Sequence, residues 1–308
     1  MERLMNDSMV FFGSGPVAAE SLRLLAQSFS IEAVVTKPRP AHHHGSVPVL
    51  DVANKLGLPV VEVVNKKSTT ASVVEAKFKS RLGVLIDFGI IIEQEVIDAF
   101  PLGIVNSHFS LLPEWRGADP ITFSILSGQT KTGVSLMLLV EAMDEGPLLA
   151  VGEYDLPRTI TAPELTQYLI SLSYALLKDT LPKYIDGTLK SAPQEKVANM
   201  LGYSSTPTYS RKLVKEDGIL DFRKPAEQLE REIRAYAEWP KSRTTLGDHA
   251  VIVTEAKVAD GEGDPGTLWR KGKDLGIYTS KGVLMIKRLK PAGKAEMTIE
   301  SFLNGYTV

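Results

Sequence analysis

The feature that most constrains this chain of 308 residues is the rhythm of its first two-thirds, where short apolar runs rich in β-branched residues alternate with amphipathic segments. Residues 10–12, 31–36, 58–61, 82–86 and 103–108 read as strands, and 17–26, 47–55, 71–79 and 93–99 carry apolar residues at helical spacing. A strand that is apolar on both sides of its pleat must be covered on both faces. A parallel sheet wrapped by helices does this, so the class is α/β with a Rossmann-like, mostly parallel sheet. In such sheets ligands bind beyond the carboxyl ends of the strands.

The rhythm changes farther on. After a strand at 133–140, a long helix is expected over 163–184 and is stopped by Gly187. Residues 191–209 mix Pro, Gly, Ser and Thr without sustained periodicity and read as a linker. A helix of alternating charge follows at 225–238, closed by Trp239-Pro240. Beyond it the runs at 250–254, 266–269, 275–278 and 283–286 are short and Gly-punctuated, the pattern of a small OB-like β-barrel. The expected division is a first domain over 1–190, a linker over 191–206 and a second domain over 207–308.

Charge is distributed unevenly between these parts. From Thr206 onward there are 18 Lys and Arg against 15 Asp and Glu, leaving 17 against 22 before it, within a net charge of −2. A basic tail suits a surface that meets phosphate, and it equally suits a solvated face. The absence of Cys excludes disulfides, thiolate metal ligands and a thiol nucleophile. Glu2, Arg3, Asn6 and Asp7 interrupt the start of the chain, and no window approaches the roughly 18 apolar residues of a membrane span. A cytoplasmic protein that does not enter membranes is expected.

The segment 103–117, G-I-V-N-S-H-F-S-L-L-P-E-W-R-G, carries the most chemistry. Side chains alternate along a strand, so Asn106 and His108 share one face, with Ser107 and Phe109 opposite. An amide and an imidazole therefore arrive together at a strand end. Asp144, in M-D-E-G after the apolar strand 133–140, is positioned in sequence to orient that imidazole. On local evidence alone, a structural His and a turn Asp before Gly account for the same residues.

Two further stretches invite a function and resist it. Gly13-Ser14-Gly15-Pro16-Val17-Ala18 fits the dinucleotide fingerprint, but Val34, Val35 and Thr36 stand where an acidic ribose ligand is required, which favours a plain strand-to-helix turn. His42, His43 and His44 are consecutive, point in different directions and have no acidic or Cys neighbour, so no metal site is expected.

The motifs N-S-H-F-S-L-L-P-E-W-R-G-A-D-P-I, T-G-V-S-L-M and M-D-E-G together resemble the folate-dependent formyltransferases. L-V-K-E-D-G-I-L-D-F, the 226–236 helix, Trp239-Pro240 and L-K-P-A-G-K resemble the carboxy-terminal domain of the members that act on methionine esterified to initiator tRNA. The resemblance implies transfer of a formyl group from 10-formyltetrahydrofolate, the co-substrate, to the α-amino group of initiator methionyl-tRNA, with no metal and in a monomer. It implies catalytic roles for Asn106, His108 and Asp144. It places folate against Ile86, Asp87, Phe88, Gly89, Ile90, Ile91, Ser110, Leu111, Leu112, Pro113, Val140 and Gly146, and tRNA against Lys37, Arg39 and Arg116. Asp87, Phe109 and Pro147 depart from the usual family residues and bear on pocket shape. Two other functions fit: a formyltransferase for a nucleotide-linked amino sugar or another small amine, and a non-catalytic RNA-binding protein that has kept the fold.

Overall fold

The computed structural model describes residues 8–42 and 45–308. His43 and His44, two of the three consecutive His, lie outside the described residues. The chain divides into two compact units. The first takes in residues through Pro120, then Lys131–Asp155 and Thr166–Ser210; the second takes in Ile121–Thr130, Leu156–Leu165 and Arg211–Val308.

The first unit begins with β1 (Ser8–Phe12), α1 (Pro16–Leu25), β2 (Ser30–Thr36), α2 (Pro48–Lys55), β3 (Val60–Glu62), α3 (Lys66–Ala76), β4 (Leu82–Leu85), α4 (Gln94–Asp98), β5 (Ile104–His108) and the short β6 (Arg116–Gly117). After α5 (Pro120–Ser127), β7 (Lys131–Leu138) and β8 (Leu148–Asp155) complete the sheet, and α6 (Ala162–Ile185), α7 (Gln194–Leu201) and β9 (Tyr209–Ser210) follow. The seven-stranded order is β3-β2-β1-β4-β5-β7-β8, parallel from β3 to β5 and antiparallel from β5 to β8. The chain reverses its winding between β1 and β4, which opens a crevice at their carboxyl ends.

The strands are buried for the reason their sequence gives. Phe12 is fully buried and meets Phe88 and Phe100 edge to face at 5.7 and 5.9 Å, and burial of each such side chain contributes about 1.5–3 kcal/mol. The expected helix at 71–79 in fact runs from Lys66 to Ala76, because Asn65 caps it: its side chain accepts from Ser68 N–H, and the Ser68 hydroxyl accepts from Asn65 N–H. Residues 191–206, expected as a linker, instead carry α7. Its short apolar stripe is flanked by Pro193 and Gly202, whose turn chemistry hides a helix of eight residues.

The second unit contains α8 (Ala226–Ala235), β10 (Arg243–Leu246), β11 (His249–Ala259), β12 (Leu268–Lys271), β13 (Asp274–Tyr278), β14 (Val283–Pro291), β15 (Met297–Thr298) and α9 (Ile299–Gly305). Its antiparallel sheet runs β10-β11-β14-β13-β12 with β15 on β14, a half-barrel of OB-like character. Leu229 and Ile233 of α8 and Phe302 of α9 pack on Val251, Val253, Leu275 and Ile286. His249 lies edge-on against Tyr306 and Phe302, a packing role. Among the described residues, no helix is long and apolar enough to cross a membrane.

Candidate active site

The site is built on β5, where Asn106 and His108 keep 7% exposure each. Asp144 comes from the hairpin loop between β7 and β8, which folds back over this strand. Its Oδ1 lies 3.5 Å from Asn106 Nδ2 and 3.8 Å from His108 Nδ1. Three groups separated by as many as 38 positions in the chain thus converge. The long distances leave each of them capacity for a further partner, a common state for catalytic groups before substrate tightens them.

The tautomer of His108 follows from its other nitrogen. Nε2 stands 2.9 Å from the carbonyl oxygen of Trp115, and a carbonyl only accepts, so Nε2 carries a proton. Nδ1 is therefore the nitrogen at which a proton is gained or lost, facing Asp144. The sequence offered Asp144 as the group that orients the imidazole; the Trp115 carbonyl fixes its tautomer, and the Asp144 carboxylate faces the other ring nitrogen.

Asp144 is held by backbone as well as by its neighbours. Gly117 N–H donates to Oδ2 at 2.7 Å. Gly117 has φ +109, and a Cβ there would lie 2.4 Å from the Ser210 carbonyl oxygen, so the approach of β9 to β6 requires glycine. Gly146 is equally constrained, since a Cβ would lie 1.7 Å from the Leu138 carbonyl oxygen across the hairpin.

Several residues expected to line the folate site are used for packing. Ser110 is fully buried and its hydroxyl donates to the Glu114 carbonyl oxygen. Leu111 and Leu112 are buried, the latter against Met137 and Leu148, and Pro113 is buried behind a cis peptide bond. Ile86 and Phe88 are also fully buried. β4 ends at Leu85 and the chain turns beyond it, with Asp87 and Gly89 at positive φ; in this turn Asp87, Gly89 and Ile91 are exposed while Ile86 and Phe88 are buried. Ile91, Val140 and Met143 keep exposed apolar side chains, and Ile90 and Leu139 beside them pack on one shared core cluster. An exposed apolar surface of this kind suits a flat heteroaromatic ring.

Asp87 lies at the crevice between β1 and β4. Its carbonyl oxygen accepts from Ser14 N–H and Gly15 N–H at 3.0 and 3.3 Å, and a Cβ on Gly15 would lie 1.9 Å from its Oδ2. The residue keeps an exposed edge, but its carboxyl is crowded against the chain. The lost hydration pushes it up to about 6, opposed by the Lys37 cation and by a hydrogen bond from Ala18 N–H, and reinforced by Asp119. The Gly13–Gly15 turn thus spends its N–H groups at Ser14 and Gly15 on the Asp87 carbonyl oxygen, with the Asp87 carboxyl packed beside it, where a dinucleotide fold would place phosphate.

The three cations expected to meet RNA differ from one another. Lys37 Nζ donates to the Gly89 carbonyl oxygen at 3.3 Å, which places it beside the folate segment. Arg39 is exposed and bonded to the Gly45 carbonyl oxygen and to Asp51. Arg116 is enclosed, its side chain 11% exposed and bonded to Gln194 and Glu145. That geometry does not present a cation to RNA. Gln194, which sequence reasoning passed over, donates through Nε2 to the carbonyl oxygens of Asp144 and Gly146 at 2.7 and 2.9 Å. Among the described residues there is no cluster of three or more His, Cys, Asp or Glu able to hold a metal.

Residues 19–181 match the formyl transferase family and residues 212–307 its carboxy-terminal domain. The chain is 34% identical to a methionyl-tRNA formyltransferase of Myxococcus xanthus, over 97% of this chain and 95% of that protein. It is 35% identical to one of Chloroflexus aurantiacus, over 96% of each. Among solved structures, an N-formyltransferase of Helicobacter canadensis bound to folinic acid and dTDP-3-aminofucose aligns with TM-score 0.68 and 16% identity over 91% of this chain and 98% of that one. The sugar 3N-formyltransferase WlaRD aligns with TM-score 0.68 and 15% identity over 94% and 99%. The two solved structures share the fold; the sequence relatives are far closer, and with both domain models matched, this chain belongs to the formyltransferase family, in its methionyl-tRNA formyltransferase branch.

Proposed function

We propose that the chain moves a formyl group from 10-formyltetrahydrofolate to the α-amino group of methionine on initiator tRNA, in the cytoplasm and as a monomer. The observation that carries the reading is the convergence of Asn106, His108 and Asp144 on one side of β5. The formyl donor supplies a carbon to which the amine nitrogen bonds as the bond to the folate nitrogen breaks. The Asn106 amide donates a hydrogen bond to the formyl oxygen as it gains negative charge. His108 takes the amine proton at Nδ1, is stabilised by Asp144 while charged, and returns the proton to the departing nitrogen.

Folate lies against Gly89, Ile91, Val140 and Gly146 in this reading, with Lys37 and Asp87 at its edge, and Ile86, Phe88, Ile90 and the 110–113 segment supporting the pocket from behind. Arg39 and the basic second domain, residues 207–308, meet tRNA; residues 1–190 form the catalytic domain. The chain's similarity to relatives named for methionyl-tRNA favours this amine over an amino sugar.

The test supplies 10-formyltetrahydrofolate together with methionyl-tRNA, a nucleotide-linked amino sugar or glycinamide ribonucleotide, and follows formyl gain by mass spectrometry. Formylation of the methionyl-tRNA is expected. A mass gain on the sugar amine alone would transfer the assignment to that substrate.

A further inference from the structure

Asp144 occupies the left-handed region, with φ +54. Asp tolerates this conformation better than most residues, yet a single such residue persists only where its surroundings fix it. Its Oδ1 stands between two partners at 3.5 and 3.8 Å, too long to anchor it, and Gly117 N–H at 2.7 Å fixes only Oδ2. The backbone of the turn needs a hold of its own.

We propose that Gln194 is a positioning residue for formyl transfer, clamping the turn that carries Asp144 so that its carboxylate faces His108 and Asn106. The proposal rests on the role assigned above to Asp144. Gln194 is 6% exposed and its carboxamide is fully engaged. The two N–H groups of Nε2 donate to the Asp144 and Gly146 carbonyl oxygens, on either side of Glu145, and Oε1 accepts from Arg116 at 2.9 Å. Reversing the amide would set its oxygen against two carbonyls, so only one orientation is satisfied.

Arg116 closes the ring by pairing with Glu145 at 3.0 Å, inside the same turn. The segment bearing Gln194 is itself tied down. Leu148 and Ala192 exchange two backbone hydrogen bonds at 2.8 Å each, and β9 pairs with β6, whose Gly117 holds the Asp144 carboxylate. Residues 192–210 thus fasten both the backbone and the side chain of Asp144. The hydrogen bonds of Gln194 go to the turn and to Arg116, so it acts through the turn.

The test uses the full chain with Gln194→Met, of similar length without donors, and Gln194→Glu, which keeps an acceptor for Arg116 and loses both donors. Each is expected to lower kcat by about 10- to 100-fold, the scale of a misplaced catalytic group, with KM for both substrates changed less than about 3-fold and melting still cooperative. A packing role predicts wild-type kcat for both, since volume is retained. The decisive readout is a cycle with Asp144→Asn. If Gln194 works through the carboxylate, Gln194→Met has less than about a 2-fold effect in that background, whereas independent roles multiply. Wild-type kcat in both single variants, a fully multiplicative cycle, or loss of cooperative melting in both would overturn the proposal while leaving a defective Asp144→Asn in accord with the catalytic reading. A fully active Asp144→Asn would overturn both.

Discussion

The end of β5 and the loop from Lys37 to Gly45 were both marked as functional by their residues, and they are built in opposite ways. At β5 the candidate side chains are nearly enclosed, and two of them are oriented by backbone: His108 by the Trp115 carbonyl and Asp144 by Gly117 N–H, with Gln194 on the carbonyls of the Asp144 turn. In the loop, Arg39 is exposed and finds its partners within the loop and at the start of α2. Proton transfer and charge stabilisation demand fixed geometry, because a donor or base misplaced by an ångström loses most of its effect. Attraction of a polyanion demands only charge that can follow its partner. The enclosed region has the fixed geometry that chemistry demands, and the open one suits a contact.

Substitutions at β5 break this contrast most severely. His108→Ala is expected to lower single-turnover formyl transfer by about 10²–10⁴-fold, and Asn106→Ala by about 10²–10³-fold, with cooperative melting preserved in each. The two losses come from different functions, so they are distinguishable. An amine of lower basicity depends less on proton removal, and with it the His108 defect should shrink while the Asn106 defect persists. Retention of wild-type rates by His108→Ala would remove the imidazole from the mechanism and with it the contrast between the regions.

These two regions also show where sequence reasoning succeeds. Strand alternation alone put Asn106 and His108 on one face, and the near-continuous apolar runs at β1, β2, β4 and β5 announced a parallel sheet, since both are local consequences of pleat and burial. What local pattern does not carry is a fold-back. Gln194 stands in a Pro- and Gly-flanked stretch, and its importance comes only from contacts with residues about 50 positions earlier. Arg116 reads as a free cation in W-R-G and is enclosed by the same fold-back. Nor does local pattern carry the separation of Ile86 and Phe88 from Asp87, Gly89 and Ile91, because β4 ends at Leu85 and these residues lie in a turn with Asp87 and Gly89 at positive φ.

The open loop gives a smaller effect. Arg39→Ala is expected to weaken methionyl-tRNA use by about 3- to 10-fold at physiological salt and to lower the salt dependence of binding by about one counterion, while leaving hydrolysis of the formyl donor unchanged. Equal loss of both activities would assign Arg39 to the catalytic region instead. An unaltered salt slope would mean that its bonds to Gly45 and Asp51 persist in the complex.

Asp87 lies between the two designs and has the smallest expected effect. Its side chain is set against Gly15 like a catalytic group, yet an edge of the residue is exposed. The carboxyl is raised from 3.8 to about 6, so between these pH values the folded chain retains a proton that the unfolded chain has released. Stability attributable to this group therefore falls as pH rises from near 4 through 6, and above 6 the ionised carboxylate is a net cost to folding. Asp87→Asn removes the charge at nearly constant shape. Relative to wild type, the variant should melt about 1–2 °C higher at pH 7.5, the small size reflecting solvent access, and the difference should vanish by pH 4. A constant offset across that range would show that packing of the amide, and not the charge, accounts for the change. A lower melting temperature at pH 7.5 would mean that the Lys37 cation and the Ala18 N–H more than repay the lost hydration, which would make Asp87 a structural ion pair of the turn after β1.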